Sequence, residues 1–95
     1  MLVKYDKVTP SPDGLIDAFV TYFNENVADY DLSKISKSEV YVVWFCYIVG
    51  NAKALISTTR QDHKYYEVTY HLDKKQLHID SYLKVNHDSI DIDHV

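Results

Sequence analysis

The sequence is poor in the residues that cross-link, break or loosen a chain. Its 95 residues include one cysteine, two glycines and two prolines. A lone cysteine excludes an intramolecular disulfide framework, and the scarcity of glycine and proline excludes collagen-like and linker proteins. The longest apolar run, residues 40–49, has about half the length of a membrane-spanning helix. We therefore expect a single domain over residues 1–95, no membrane association and a reducing, cytoplasmic setting.

The chain also lacks an excess of basic residues. Its formal net charge is −4, which argues against non-specific binding to a phosphate backbone. Residues 86–95 contain Asp88, Asp91 and Asp93 and no lysine or arginine. We interpret residues 1–10 as an N-terminal segment and residues 86–95 as an acidic tail. Such a tail either solubilises the end of the chain or docks on a basic surface of a partner.

The first predicted element is an amphipathic helix that begins at Ser11-Pro12-Asp13 and runs to about Val27. Serine is a favoured N-cap, proline suits the first helical position, and an acid there faces the helix dipole favourably. Apolar residues then recur at helical spacing and predict one buried face: Leu15, Ile16, Phe19, Val20, Phe23 and Val27. Residues 29–38 are interpreted as a connector, although Ser36 and Glu39 fit a capping box that would favour a second helix.

The rest of the chain predicts four antiparallel strands. Residues 40–49 are almost all β-branched or aromatic, which favours a central strand, and Gly50-Asn51 predicts the turn to a returning strand at residues 53–59. Residues 60–64 are interpreted as a polar loop. Alternating apolar residues predict a final hairpin that pairs Leu72 with Leu77 and places His71 opposite His78. The expected fold is α+β, with one N-terminal helix packed on a four-stranded antiparallel sheet in two layers.

Several strand segments resemble a family of small uncharacterised proteins encoded by phages and prophages of Gram-positive bacteria. The resemblance extends from about Val40 to Val85 and is carried by Tyr41-Val42-Val43-Trp44-Phe45-Cys46, Asn51, Lys53-Ala54-Leu55-Ile56-Ser57-Thr58, Tyr65-Tyr66-Glu67-Val68-Thr69-Tyr70, Ile79-Asp80 and Tyr82. It implies a phage accessory protein that works in the cytoplasm of a bacterial host. The family has no assigned catalytic residues, so it implies none here.

Candidate metal ligands and nucleophiles have plainer interpretations. His71 and His78 across a strand pair, with Asp80 and Glu67 on the same face, have a spacing that zinc ligands can adopt, but solvent-facing histidines are usually ordinary surface residues. His87 and His94, together with the three aspartates of the acidic tail, provide groups for loose binding of divalent ions, but such a tail is usually solvated and mobile. Cys46 is predicted to be buried and therefore inert. With no nucleophile elbow and no glycine-rich phosphate loop, we expect no metal, no cofactor and no enzymatic activity.

The tyrosine content favours an interaction protein. Tyrosine is enriched at protein interfaces, and four tyrosines are predicted to alternate with the core positions of the strands. The candidate protein-binding residues are Tyr41, Tyr47, Tyr65, Glu67, Tyr82, Asp88, Asp91 and Asp93. The leading hypothesis is a non-enzymatic phage-type accessory protein that binds and modulates a bacterial host protein or a phage protein.

Two other functions stay open at this point. Tyrosines on a sheet also stack on single-stranded nucleic acid, a hypothesis that requires a basic groove beside the rings. Lys64, Lys74, Lys75 and Lys84 provide basic residues near the last hairpin. A small metal-dependent enzyme is the third hypothesis. Pairing of two copies through an edge strand, giving a homodimer, is left open as well.

Overall fold

One helix followed by an open sheet of four antiparallel strands makes up the fold. The computed structural model describes residues 8–27, 34–60 and 64–93. Helix α1 (Pro12–Tyr22) continues into a π-helical turn (Phe23–Val27), and a 3-10 turn (Lys37–Glu39) precedes the strands β1 (Val40–Ile48), β2 (Asn51–Thr58), β3 (Lys64–His71) and β4 (Gln76–Leu83). The strands lie in the order β1-β2-β3-β4. The predicted α+β fold is confirmed. No helix among these residues has the length and hydrophobicity needed to cross a bilayer.

Helix α1 begins where its capping residues predict. Ser11 has an extended backbone, and its hydroxyl accepts a hydrogen bond from the Gly14 amide at 3.0 Å. Pro12 occupies the first helical position, where its missing N–H leaves no hydrogen bond unmade. Asp13 adds a negative charge in the first turn. Local chemistry therefore determines where the helix starts.

The apolar stripe of α1 packs on one face of the sheet. Leu15 and Phe19 are completely buried there, and the Phe19 ring lies 4.7 Å from the Tyr66 ring of β3, centroid to centroid. The sheet contributes alternate residues of β2 and β3 to the same core: Ala52, Ala54, Ile56, Tyr66 and Val68. Helix and sheet thus form the two predicted layers.

The connector between α1 and the sheet is held by an asparagine. The side chain of Asn24 donates to the Ile35 carbonyl at 2.9 Å and accepts from the Ile35 amide at 2.7 Å. The predicted capping box is present as well, with the Ser36 amide donating to Glu39 Oε2 at 2.8 Å. It caps only the 3-10 turn, because β-branched residues follow at once. Residues 29–33 of the predicted connector lie outside the described residues.

Strand β1 is an edge strand, so its predicted central position is wrong. It pairs with β2 alone, and β4 forms the other edge of the described sheet. Apolar side chains on both faces led to the prediction, since such strands usually lie inside a sheet. Here one face of the strand packs on the helix-side core through Val40, Val42 and Phe45, and the other face is exposed.

The turn between β1 and β2 lies one residue earlier than predicted. Ile48 pairs with Asn51, so Val49 and Gly50 form the two-residue turn. Both have positive φ angles, 42° and 82°, as in the turns that match the twist of a hairpin. Asn51 begins β2, which starts two residues before the predicted Lys53.

The β3–β4 hairpin has the predicted strands in a different register. Leu77 pairs with Tyr70, not with Leu72, so the register differs from the prediction by two residues. Leu72 belongs to the turn, which closes with a hydrogen bond from the Lys75 amide to the Leu72 carbonyl at 3.2 Å. Because side chains alternate with a period of two, a shift of two residues leaves every side chain on its predicted face.

Candidate functional site

The sheet has one face that α1 does not cover, which we call the open face. Residues paired across antiparallel strands point to the same side of the sheet, and neighbours along a strand point to opposite sides. The residues that alternate with the buried core positions therefore belong to the open face. Four rows run across the strands: Tyr41, Ser57, Tyr65 and Tyr82; Trp44, Leu55, Glu67 and Asp80; Cys46, Lys53, Thr69 and His78; Ile48, Asn51, His71 and Gln76. The candidate residues on the strands lie in these rows, with one exception.

The first row, the tyrosine row, brings three of the four predicted tyrosines together. Tyr41, Tyr65 and Tyr82 lie on three different strands, and Ser57 of β2 lies between Tyr41 and Tyr65. Tyr41 is 49% exposed and Tyr82 is 50% exposed, whereas Ser57 is buried. The row is therefore a band of half-exposed aromatic rings across the whole width of the sheet.

Tyr47 is the exception and lies on the opposite face. It pairs with Ala52, which is buried on the helix side of the sheet. The register shifts between Val42 and Trp44, where β1 carries a bulge of one extra residue. One extra residue reverses the alternation of side chains beyond it, so Tyr41 and Tyr47 point to opposite faces.

A basic cleft lies alongside the tyrosine row, at one end of the strands. Its volume is about 310 Å³, and it is lined by Tyr41, Ser57 and Tyr65 of the row together with Thr58, Arg60, Lys64 and Lys84. The Arg60 guanidinium donates to the Lys34 carbonyl at 3.1 Å and lies 5.4 Å from the centre of the Phe23 ring. Arg60 and Thr58 were not among the predicted site residues. Residues 61–63 of the predicted loop lie outside the described residues.

Strand β1 contributes an apolar band to the open face. Val43 is 46% exposed, Trp44 is 42% exposed and Ile48 is 64% exposed. Cys46 lies between them and is also exposed, so its predicted burial is wrong. The prediction failed because it placed β1 inside the sheet. We call Val43, Trp44, Cys46 and Ile48 the apolar band.

The acidic candidate of the open face is held by a neighbouring cation. Glu67 Oε1 lies 3.1 Å from Lys53 Nζ, and the Glu67 side chain is only 23% exposed. Asp80 is the cross-strand partner of Glu67, so the two carboxylates lie side by side on β3 and β4. The single lysine leaves this part of the open face acidic.

The two candidate metal-ligating histidines are close but not directly opposite. His71 pairs with Gln76 and His78 with Thr69, and the two imidazole rings lie diagonally, 4.5 Å apart. His78 Nε2 shares a hydrogen bond of 3.0 Å with Gln76 Oε1. Within the described ranges, no three His, Cys, Asp or Glu side chains are grouped as metal ligands. The pair supplies two imidazoles, whereas a structural zinc ion takes four ligands.

The acidic tail is exposed over its described length. Residues 84–93 follow β4 without helix or strand, and Asp88, Asp91 and Asp93 all face solvent. Apolar residues are exposed among them, with Ile90 82% and Ile92 75% exposed. His94, one of the weak metal candidates, lies outside the described residues.

Comparison with known proteins gives a family but no activity. Residues 14–92 match the family of unknown function DUF6275. The matched segment covers α1 from Gly14 onward, all four strands and most of the acidic tail. No curated protein and no solved structure is significantly similar to the chain. The chain belongs to this family of unknown function, and the predicted membership of an uncharacterised family is confirmed.

Proposed function

We propose that this family member is a non-enzymatic accessory protein of phage type that binds and modulates a protein in the cytoplasm of a bacterial host. The apolar band on edge strand β1 is the observation that carries the proposal. Inhibition of a host defence or DNA-processing factor is one consequence of such binding. The sequence resemblance to phage and prophage proteins supports the proposed origin and setting.

The edge of β1 carries no charged residue and no proline to prevent pairing with another chain. Exposed edge strands normally carry charged residues or proline, which discourage a further strand from adding. The nine residues of β1 include neither, and its bulge at Val42 to Trp44 is the one feature that interrupts the edge. β4, the other edge, carries Asp80. β1 is therefore the edge that favours strand addition.

The proposed occupant is a folded partner protein that adds an extended strand to β1. Strand addition gives affinity through main-chain hydrogen bonds and specificity through alternate side chains. The partner strand would cover Trp44 and Ile48 with apolar side chains. A basic surface of the same partner would meet Asp88, Asp91 and Asp93, which follow β4 at the far edge of the sheet. The two edges lie about 14 Å apart, so the partner must be wider than one strand.

Affinity capture with matched variants tests the proposal. The tagged protein is incubated with lysate of a Gram-positive host at about 0.15 M and about 0.5 M salt, since screening weakens the contribution of the acidic tail. The variant Trp44→Lys places a charge in the apolar band. Val85→Lys is the control, because Val85 is 89% exposed and lies beyond β4. Circular dichroism verifies that both variants fold.

We expect the wild type and Val85→Lys to retain one stoichiometric bacterial protein that Trp44→Lys loses. Equal capture by Trp44→Lys would show that the apolar band is not the binding surface, and no capture would overturn the proposal. Light scattering on the purified protein adds a third outcome. A dimer that Trp44→Lys dissociates, without a captured protein, would assign the band to a second copy of the chain instead.

A further inference from the structure

We infer that the tyrosine row and the basic cleft together form a binding site for single-stranded nucleic acid. The inference concerns another part of the open face than the apolar band and does not depend on protein binding there. Stacking of bases on a sheet requires a basic groove beside the aromatic rings. The fold places three basic side chains alongside the tyrosine row, in the lining of one cleft.

The tyrosine row has the dimensions of a stacking platform for bases. Neighbouring strands lie about 4.8 Å apart, so the row extends about 14 Å from Tyr41 to Tyr82, and sheets that bind RNA stack two or three bases on their aromatic residues. Tyr41 and Tyr82 are half exposed, so much of each ring remains accessible to solvent.

Ser57 separates two of the three rings of the row. Tyr41 and Tyr65 lie on the strands to either side of β2, and the serine between them is buried, so neighbouring side chains cover it. Bases are therefore expected to stack on the exposed surfaces of the rings and not between them.

The cleft provides positive charge where the sugar-phosphate backbone would pass. Arg60, Lys64 and Lys84 line it together with the Thr58 hydroxyl, and no aspartate or glutamate of the described residues is in its lining. The Arg60 guanidinium is held by the Lys34 carbonyl and the Phe23 ring, so Arg60 adds a fixed positive charge to the cleft.

The direction of the bound strand follows from the charges around the row. Glu67 and Asp80 occupy the next row of the open face and would repel phosphates. A nucleic acid strand is therefore expected to run across the sheet along the tyrosine row, with its phosphates toward the cleft. An acidic peptide would match the positive charge of the cleft but would not use the aromatic rings, so the combination favours nucleic acid.

Fluorescence anisotropy with a labelled oligodeoxythymidylate of about eight nucleotides tests the inference. For three phosphate contacts on a single strand, affinity should fall about twenty-fold between about 0.05 M and about 0.2 M salt. Tyr82→Ala should weaken binding about five-fold or more, because it removes one stacking ring. Lys84→Gln should reduce the slope of log affinity against log salt by about 0.7. Lys74→Gln, in the β3–β4 turn at the opposite end of the sheet, is the matched control and should change little.

The outcomes are distinct from those of the protein-binding experiment. No binding at the lower salt, or equal binding by the wild type and Tyr82→Ala, would overturn the inference. A loss in Lys84→Gln without a loss in Tyr82→Ala would identify a simple anion site instead of a nucleic acid site. Thermal melts of each variant verify that the domain is folded. We expect both variants to fold, because the Tyr82 and Lys84 side chains are exposed. Trp44→Lys leaves these side chains intact, so each proposal fails independently of the other.

Discussion

Gly14 tests how closely the segment before α1 packs on the helix. It is buried in the first turn, and a Cβ atom at this position would overlap the carbonyl oxygen and the hydroxyl of Thr9. The Thr9 carbonyl is held in place because it accepts a hydrogen bond from the Ser11 amide at 2.8 Å. We therefore predict that Gly14→Ala destabilises the domain, although alanine is normally the better helix residue.

The magnitude follows from three opposing contributions. Replacing glycine by alanine within a helix stabilises it by about 1 kcal/mol. Forcing an extra carbon into a packed site costs about 1–3 kcal/mol, and loss of the hydrogen bond between Ser11 and Thr9 costs about 1 kcal/mol more. The net effect is a loss of about 1–3 kcal/mol in the free energy of unfolding. For a domain of this size, each kcal/mol lowers the melting temperature by about 4–8 °C.

Urea denaturation followed by far-ultraviolet circular dichroism measures this loss. The control is Thr21→Ala in the same helix, where the side chain hydroxyl only donates to the Asp17 carbonyl at 3.1 Å on the exposed surface. Thr21→Ala should change the unfolding free energy by no more than about 0.5 kcal/mol. A Gly14→Ala variant as stable as the wild type would refute the close packing of Thr9 on the helix.

Three further predictions concern other parts of the fold. Val49 has a φ of 42° in the β1–β2 turn, so Val49→Asn should stabilise the domain by about 1 kcal/mol in the same urea assay, and a loss of stability would contradict the turn geometry. Phe19 is fully buried against the Tyr66 ring, so Phe19→Ala should cost about 3–5 kcal/mol, and a cost below about 1 kcal/mol would contradict its central position in the core. Cys46 is exposed, so its thiol should react completely with a thiol reagent such as dithionitrobenzoate in native buffer, whereas a reaction that requires denaturant would restore the buried position predicted from the sequence.

Local chemistry made the helix and the strands predictable. The start of α1 depends on Ser11 and Pro12, which act within a single turn and therefore need no knowledge of the rest of the chain. The alternation in β3 and β4 likewise depends on neighbours along one strand. It predicted which side chains share a face, and that assignment holds although the register of the hairpin differs by two residues.

The position of β1 depends on long-range packing and was therefore not predictable from its own residues. A strand that is apolar on both faces matches the interior of a sheet, and its composition does not reveal whether one face is exposed. The bulge near Val43 is also invisible to a pattern of alternating residues. It moved Tyr47 to the helix side, so the predicted set of four tyrosines became a row of three.

Lys64 and Lys84 were candidates from the sequence, but their grouping with Arg60 in one cleft was not predicted, for a topological reason. Arg60 follows β2, Lys64 begins β3 and Lys84 follows β4, so the three residues lie far apart along the chain. In an antiparallel sheet, however, neighbouring strands run in opposite directions, so the end of β2, the start of β3 and the end of β4 lie at the same end of the sheet. Basic residues at these three strand ends were the signal that could have identified the cleft, once the strand boundaries had been combined with the sheet order.

The two proposed surfaces meet at one residue, and this determines which variants distinguish them. Tyr41 belongs to the tyrosine row and also lies on β1, where the proposed partner strand would add. A substitution of Tyr41 would weaken both protein binding and nucleic acid binding, so it would not distinguish the two surfaces. Trp44 lies in the next row of the open face, whereas Tyr82 and Lys84 are at the far edge of the sheet. Trp44 and Tyr82 lie on opposite edges about 14 Å apart, so Trp44→Lys tests strand addition to β1 and Tyr82→Ala tests stacking of bases on the tyrosine row. The effects of Trp44→Lys and Tyr82→Ala on the free energy of nucleic acid binding should therefore be additive in a double variant if the surfaces are independent.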